Sequence, residues 1–124
     1  MKVLLVDDEP FILQGLSVLI DWAAEGCEIV KMASNGKEAL LYLEDHEADL
    51  VITDIKMPVM SGLELLEQIR GRQISDAFFI ILSGYNDFSY AQKAIRYACM
   101  DYLVKPVQKE ALLELIRKAK SSLA

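Results

Sequence analysis

The chain has 124 residues, 53% of them hydrophobic and 26% charged, with nineteen acids against thirteen Lys and Arg and a formal net charge of −6. That length favours one domain, because two would each be too small to bury a sound core, and the apolar fraction excludes a disordered chain. The acidic balance argues against a nucleic-acid-binding surface here, since phosphate contacts need clustered Lys and Arg.

Met1-Lys2 leads straight into Val3-Leu4-Leu5-Val6, a short β-rich run followed by Asp7-Asp8-Glu9-Pro10. Pro10 suits the first turn of a helix, and Ile12, Leu16, Leu19 and Ile20 recur at helical spacing. Residues around 27–33 form the next strand. Asn35, with Glu38 three residues on, opens a second helix whose stripe is Ala39, Leu40 and Leu43. Leu50-Val51-Ile52-Thr53 is a third strand ending at Asp54, and Ser61-x-x-Glu64 is a capping-box pattern ahead of Leu63, Leu66 and Ile69. Phe78-Phe79-Ile80-Ile81-Leu82 is the fourth strand, ending at Ser83-Gly84. Asp87 to Ala98 reads as a helix with Phe88, Ala91, Ile95 and Ala98 inward. Tyr102-Leu103-Val104 is a short fifth strand stopped by Lys105-Pro106, and a last helix runs from about Lys109 to Ser121.

Strands alternating with helices require a parallel sheet with crossovers. The runs at 3–6, 50–53 and 78–82 are continuously apolar, as expected where helices cover both faces. Cys27 and Cys99 form no C-x-x-C, so neither a disulfide framework nor a thiolate zinc site fits, and two small buried thiols are expected. There is no signal-peptide pattern and no apolar run near the roughly 18 residues of a membrane span, so a cytoplasmic location is expected.

Ligands of an open α/β sheet bind beyond the carboxyl ends of its strands. Asp7, Asp8 and Glu9 follow the first run, Asp54 the third, Ser83 the fourth and Lys105 the fifth, whereas the second delivers only Ala33 and Ser34. Three clustered carboxylates raise one another's pKa, and desolvation adds to that. Lys105 offsets one charge and a divalent cation would offset the other two. Hard oxygen ligands without His or Cys select Mg²⁺, which serves phosphate chemistry.

The single histidine, His46, ends a polar helix far from the strand ends, which disfavours a Ser/His/Asp triad. Paired acids also serve glycosidases, but the pattern offers no sugar cleft. Asn35-Gly36-Lys37-Glu38 fails as a P-loop, and no G-x-G-x-x-G occurs. A carboxylate beside Mg²⁺ with a cation in reach fits phosphoryl transfer to the carboxylate itself.

Leu4-Leu5-Val6-Asp7-Asp8-Glu9-Pro10, Thr53-Asp54-Ile55-Lys56-Met57-Pro58 with Ser61-Gly62, Ser83-Gly84, and Asp101-Tyr102-Leu103-Val104-Lys105-Pro106 resemble the receiver domain of two-component response regulators. The resemblance covers essentially the whole chain. It implies a doubly wound, flavodoxin-like α/β fold: a five-stranded parallel sheet of order 2-1-3-4-5 with five helices. It further implies Asp54 as phosphoacceptor, Asp8 as direct Mg²⁺ ligand, Asp7 acting largely through water, and the backbone carbonyl of Lys56 as a further ligand. Lys105 is expected to pair with phosphoryl oxygens and to precede a cis bond to Pro106. Ser83 matches the switch hydroxyl and Tyr102 the aromatic rotamer switch. The resemblance implies no enzyme beyond slow self-catalysed phosphotransfer and dephosphorylation. Its partners would be a sensor histidine kinase, facing Leu13, Leu16 and their neighbours, and a second receiver meeting the 87–118 face.

An aspartyl-phosphate carries about −1.5 to −2 and three acceptor oxygens. These can draw the Ser83 hydroxyl and Lys105 ammonium inward, opening space beneath the 84–90 loop for Tyr102. The face of the 87–98 helix, the fifth strand and the last helix would then change shape. The run Ser83-Gly84-Tyr85-Asn86-Asp87-Phe88-Ser89-Tyr90-Ala91, together with Asp54–Pro58, resembles receivers attached to AraC-type helix-turn-helix output domains. Residues 1–124 are thus expected to be the N-terminal receiver of a longer transcription regulator that meets DNA only through its output domain. The alternative is a stand-alone receiver working by protein–protein contact. A haloacid-dehalogenase-type phosphatase is remote, because its second Asp would stand where Lys56 does. A flavodoxin-like flavin carrier needs a hydroxyl-rich loop in place of Asp7, Asp8 and Glu9.

Overall fold

A computed structural model of the chain describes residues 1–84 and 101–123. The strands are β1 (Lys2–Val6), β2 (Glu28–Ala33), β3 (Leu50–Asp54), β4 (Phe78–Ser83) and β5 (Asp101–Val104). The helices among the described residues are α1 (Pro10–Leu19), α2 (Gly36–Asp45), α3 (Gly62–Gly71) and α4 (Lys109–Leu123). The helix expected over 87–98, with Phe88 and Tyr90, and the thiol of Cys99 lie outside the described residues.

The five strands form one sheet of order β2-β1-β3-β4-β5, and every neighbouring pair is parallel. This is the doubly wound order. Side-chain alternation divides the sheet into two faces. Leu4 and Val6 of β1 join Val51, Phe79 and Ile81 in one core, covered by Leu40 and Leu43 of α2 and Leu65, Leu66 and Ile69 of α3. Val3 and Leu5 join Leu50, Ile52, Ile80 and Leu82 in the other, covered by Leu16 of α1 and Leu112, Leu115 and Ile116 of α4. Burial on both faces explains why β1, β3 and β4 read as unbroken apolar runs. β2 lies at the sheet edge, and its register with β1 slips between Val3 and Leu4, whose partners are Ile29 and Lys31, so that Val30 is the extra residue.

Local chemistry fixes the helix starts. Pro10 opens α1. The Asn35 side chain accepts from the Glu38 N–H at 2.9 Å. Ser61 and Glu64 form the reciprocal capping box, each bond 3.1 Å long. α1 turns Leu16 into the core and half-buries Leu13, while Phe11 and Val18 are 86% and 79% exposed. Leu16 is therefore committed to the sheet, and the outward side of α1 carries Phe11 and Val18.

The 20–27 connection is fastened to both the core and α4. The buried Trp22 donates its Nε1–H to the Leu16 carbonyl at 3.0 Å, and Arg117 of α4 pairs with Glu25 at 3.1 Å. The hydrogen bond from Arg117 holds the Glu25 carboxyl below its ordinary range. A depressed carboxyl contributes stability above its unfolded pKa and loses it as pH falls through the folded value. Arg117→Ala should therefore lower the urea midpoint at pH 7, and the gap from wild type should close below about pH 4. An equal gap at both pH values would show that Arg117 acts through packing.

Candidate functional site

The carboxyl ends of β1, β3, β4 and β5 deliver Asp7, Asp54, Ser83 and Lys105 to one edge of the sheet. Asp7 follows β1 directly and its N–H donates to the Ala33 carbonyl at 3.0 Å, which carries the ladder one residue further. Its side chain is fully buried, with one oxygen accepting from the Glu9 N–H at 2.9 Å. Asp54 ends β3 with its side chain 13% exposed, and Oδ1 accepts from the Ile55 N–H at 2.8 Å. Asp8 is exposed. Each of the three aspartates brings a carboxylate oxygen within 4.8 Å of the other two.

Lys105 crosses this cluster. Its Nζ lies 3.1 Å from Asp54 Oδ2 and 3.3 Å from Asp7 Oδ2. Burial pulls the ammonium down, but the bonds and charges of Asp54 and Asp7 outweigh it and leave the pKa raised. Asp7 is pushed up, first by burial and then by the charge of Asp54; the Glu9 N–H and Lys105 oppose this. One ammonium against three carboxylates leaves excess negative charge in a site that is buried at Asp7 and open at Asp8. The donors are all hard oxygens, with neither imidazole nor thiolate among them, so the set suits a hard divalent cation rather than zinc or copper.

Ser83 is buried, and its carbonyl accepts from the Lys105 N–H at 2.8 Å, tying the end of β4 to the lysine. Tyr102 is half-buried, pairs in register with Ile81, and packs against the core on the α2/α3 side. Lys56 is exposed, two residues beyond Asp54. The Lys105–Pro106 bond is cis. The structure thus brings Asp7, Asp8, Asp54 and Lys105 together. Residues 85–90, which the sequence reading set beside Ser83 and Tyr102, lie outside the described residues.

The supporting roles of two residues of the motif escaped the sequence reading. The buried Thr53 hydroxyl donates to the Asp54 carbonyl at 3.0 Å. Gly62 donates its N–H to the Ile55 carbonyl at 2.7 Å, and a Cβ on it would fall 2.0 Å from the Asp54 carbonyl oxygen. A glycine directly after a capping serine, where alanine would favour the helix, was the available signal. Gly62→Ala should force the backbone of Asp54 to shift and cost about 2 kcal/mol in urea unfolding. An unchanged midpoint would mean the close approach is not kept in solution.

The sequence matches the model of the response regulator receiver domain over residues 3–117. This chain belongs to that family. It is 42% identical over 115 residues to the transcriptional regulatory protein HptR of Staphylococcus aureus, covering 93% of this chain and 44% of that protein. The receiver domain of AraT, a response regulator from Geobacillus stearothermophilus, superposes with a TM-score of 0.90 at 40% identity, covering 98% of this chain and 94% of that one. A two-component transcriptional regulator AraC from Clostridium phytofermentans gives a TM-score of 0.87 at 29% identity, covering 98% and 93%. The chain spans between 32% and 46% of the length of the first curated relatives it matches. It is therefore a receiver domain of the two-component response regulators, a regulatory domain whose relatives include AraC-type regulators. Among its described residues no helix is long and apolar enough to cross a membrane.

Proposed function

We propose that this receiver domain is a phosphorylation-controlled switch with Asp54 as the phosphoacceptor. The observation that carries the reading is the single ammonium of Lys105 held between Asp7 and Asp54 inside a three-carboxylate cluster. Asp7 is fully buried and engaged by the Glu9 N–H and Lys105, so it is poorly placed to meet a donor. Asp54 keeps part of its side chain exposed and sits beside the same cation.

Asp7, Asp8, Asp54 and the backbone carbonyl of Lys56 would hold Mg²⁺, which when bound supplies positive charge against which an acidic site and a phosphoryl group can meet. An Asp54 oxygen attacks phosphorus of a phosphohistidine, and the imidazole nitrogen departs with the electron pair of the broken P–N bond. The Lys105 ammonium then turns from the carboxylates to the phosphoryl oxygens, and the Ser83 hydroxyl donates to another. Tyr102, packed next to Ile81, follows that movement and alters the surface of β5 and α4. Val104, 47% exposed on the edge strand β5, belongs to this face, through which a second copy would dock.

The phosphodonor would be a histidine kinase meeting α1 through exposed Phe11 and Val18. The AraC-type relatives support a cytoplasmic transcription regulator whose DNA contacts are made by a separate output domain. The deciding test is incubation with Mg²⁺ and acetyl phosphate, alongside Asp54→Asn. Wild type should gain one hydroxylamine-labile phosphoryl group per chain and the variant none. An unlabelled wild type, or equal labelling of both, would overturn the assignment.

A further inference from the structure

We propose that a strained backbone turn at Val59 sets the Mg²⁺ affinity of the acidic site, with Val59 and Gly36 as positioning residues that act through the carbonyl of Lys56. This rests on the reading of that carbonyl as a metal ligand.

The connection from β3 to α3 is tied at its ends and along its length. The Gly62 N–H donates to the Ile55 carbonyl at 2.7 Å. Ile55 is buried, and Met57 and Met60 pack against the core on the α2/α3 side. Between the two methionines, the Met60 N–H donates to the Pro58 carbonyl at 2.8 Å, a bond that closes over one residue. That residue is Val59, with φ 71°. Together these make a γ-turn of the left-handed kind, which is rare and strained. A β-branched residue is an outlier there, and its Cβ costs roughly a five- to thirtyfold loss of population. Packing does not offset this, because Val59 is 79% exposed.

The turn must therefore be held from outside. Asn35 caps α2 through the Glu38 N–H. The Gly36 N–H, among the first of the helix and without an intrahelical acceptor, donates instead to the Met60 carbonyl at 2.9 Å. A Cβ on Gly36 would stand 2.6 Å from that same oxygen and 3.0 Å from the Ser61 carbonyl oxygen, so the clamp requires glycine at the start of α2. Strained backbone persists where its surroundings over-determine it, and it clusters at sites that clamp a ligand. Lys56 stands in this loop, between Asp54 and the turn. Releasing the turn would let the loop extend and shift the Lys56 carbonyl relative to Asp54, which β3 keeps in place.

The test is calorimetric titration of this chain with Mg²⁺, with thermal midpoints measured in EDTA. Val59→Pro cannot adopt a positive φ. It should bind Mg²⁺ about tenfold more weakly, the scale for losing the support of a metal ligand. Its labelling by acetyl phosphate should need correspondingly more Mg²⁺ and reach the wild-type rate at saturation. Val59→Gly adopts the turn freely and should bind at least as tightly as wild type. Gly36→Ala, which displaces the Met60 carbonyl, should weaken binding as Val59→Pro does. Variants with a lower midpoint in EDTA but wild-type Mg²⁺ affinity would make the turn a purely structural device and overturn the inference. A Val59→Gly protein that loses affinity would also overturn it. If Val59→Pro fails to fold, Gly36→Ala decides alone, and unchanged affinity there sinks the clamp. Asp8→Asn separates the two readings. If it loses Mg²⁺ while both turn variants bind as wild type does, only the turn is wrong; if wild type binds no Mg²⁺, the metal site falls as well.

Discussion

Replacing Asp54 by alanine is expected to abolish phosphoryl labelling while leaving the unfolding free energy within about 1 kcal/mol of wild type. The loss of labelling follows from removing the only acceptor proposed. The small stability change follows from opposed charges. At an effective dielectric of about 20, the Lys105–Asp54 pair at 3.1 Å attracts by about 5 kcal/mol, and a carboxylate within 4.8 Å repels by at least about 3.5 kcal/mol. Asp54 faces two such carboxylates, although the exposed Asp8 is screened and repels less. Loss of the Ile55 N–H bond adds about 1 kcal/mol against the variant. Release of a desolvated carboxylate acts in its favour. Urea unfolding of the two proteins at pH 7 measures the balance. A drop of more than about 2 kcal/mol would make Asp54 a structural residue first.

That balance depends on residues distant in sequence, yet much of the site could be read from the chain. Asp7, Ser83 and Lys105 each directly follow a run of apolar residues, and Asp54 follows Leu50-Val51-Ile52 after Thr53. A parallel sheet sends every such end to one edge, so topology alone gathered them. The capping box at Ser61 and Glu64 was legible because it is a bond between residues three apart. What escaped depended on contacts across the fold. The apolar pattern of α1 marked Leu16 without showing that the sheet takes it, leaving Phe11 and Val18 outside. The slip at Val30 reflects how an edge strand fits β1, which no local pattern records. Gly62 was legible only as part of the Ser61-Gly62 motif at a helix start, without the contact that requires it. Only the path of β3 into α3 puts its α-carbon against the Asp54 carbonyl.

Lys105→Ala should combine a stability defect with a kinetic one. The Asp7 carboxylate is fully buried and would keep only the Glu9 N–H among the partners described above. Breaking a buried ion pair costs 3–5 kcal/mol when one charge is left unmatched. The Lys105 side chain is 23% exposed, so the low end applies, about 3 kcal/mol or roughly 10 °C in thermal midpoint. The Lys105 N–H still reaches the Ser83 carbonyl in the variant, so the β4–β5 connection should survive and the protein should fold. Labelling by acetyl phosphate should slow about a hundredfold, the scale for losing one preorganised donor to developing phosphoryl charge. Mg²⁺ affinity should move the other way, because removing a cation from three carboxylates makes the cluster more attractive to another. Saturating Mg²⁺ should accordingly narrow the thermal gap from wild type while the labelling defect persists. A titration in which Mg²⁺ affinity falls in parallel with labelling would assign Lys105 to organising the metal site, and the charge argument for its place beside the phosphoryl group would fail.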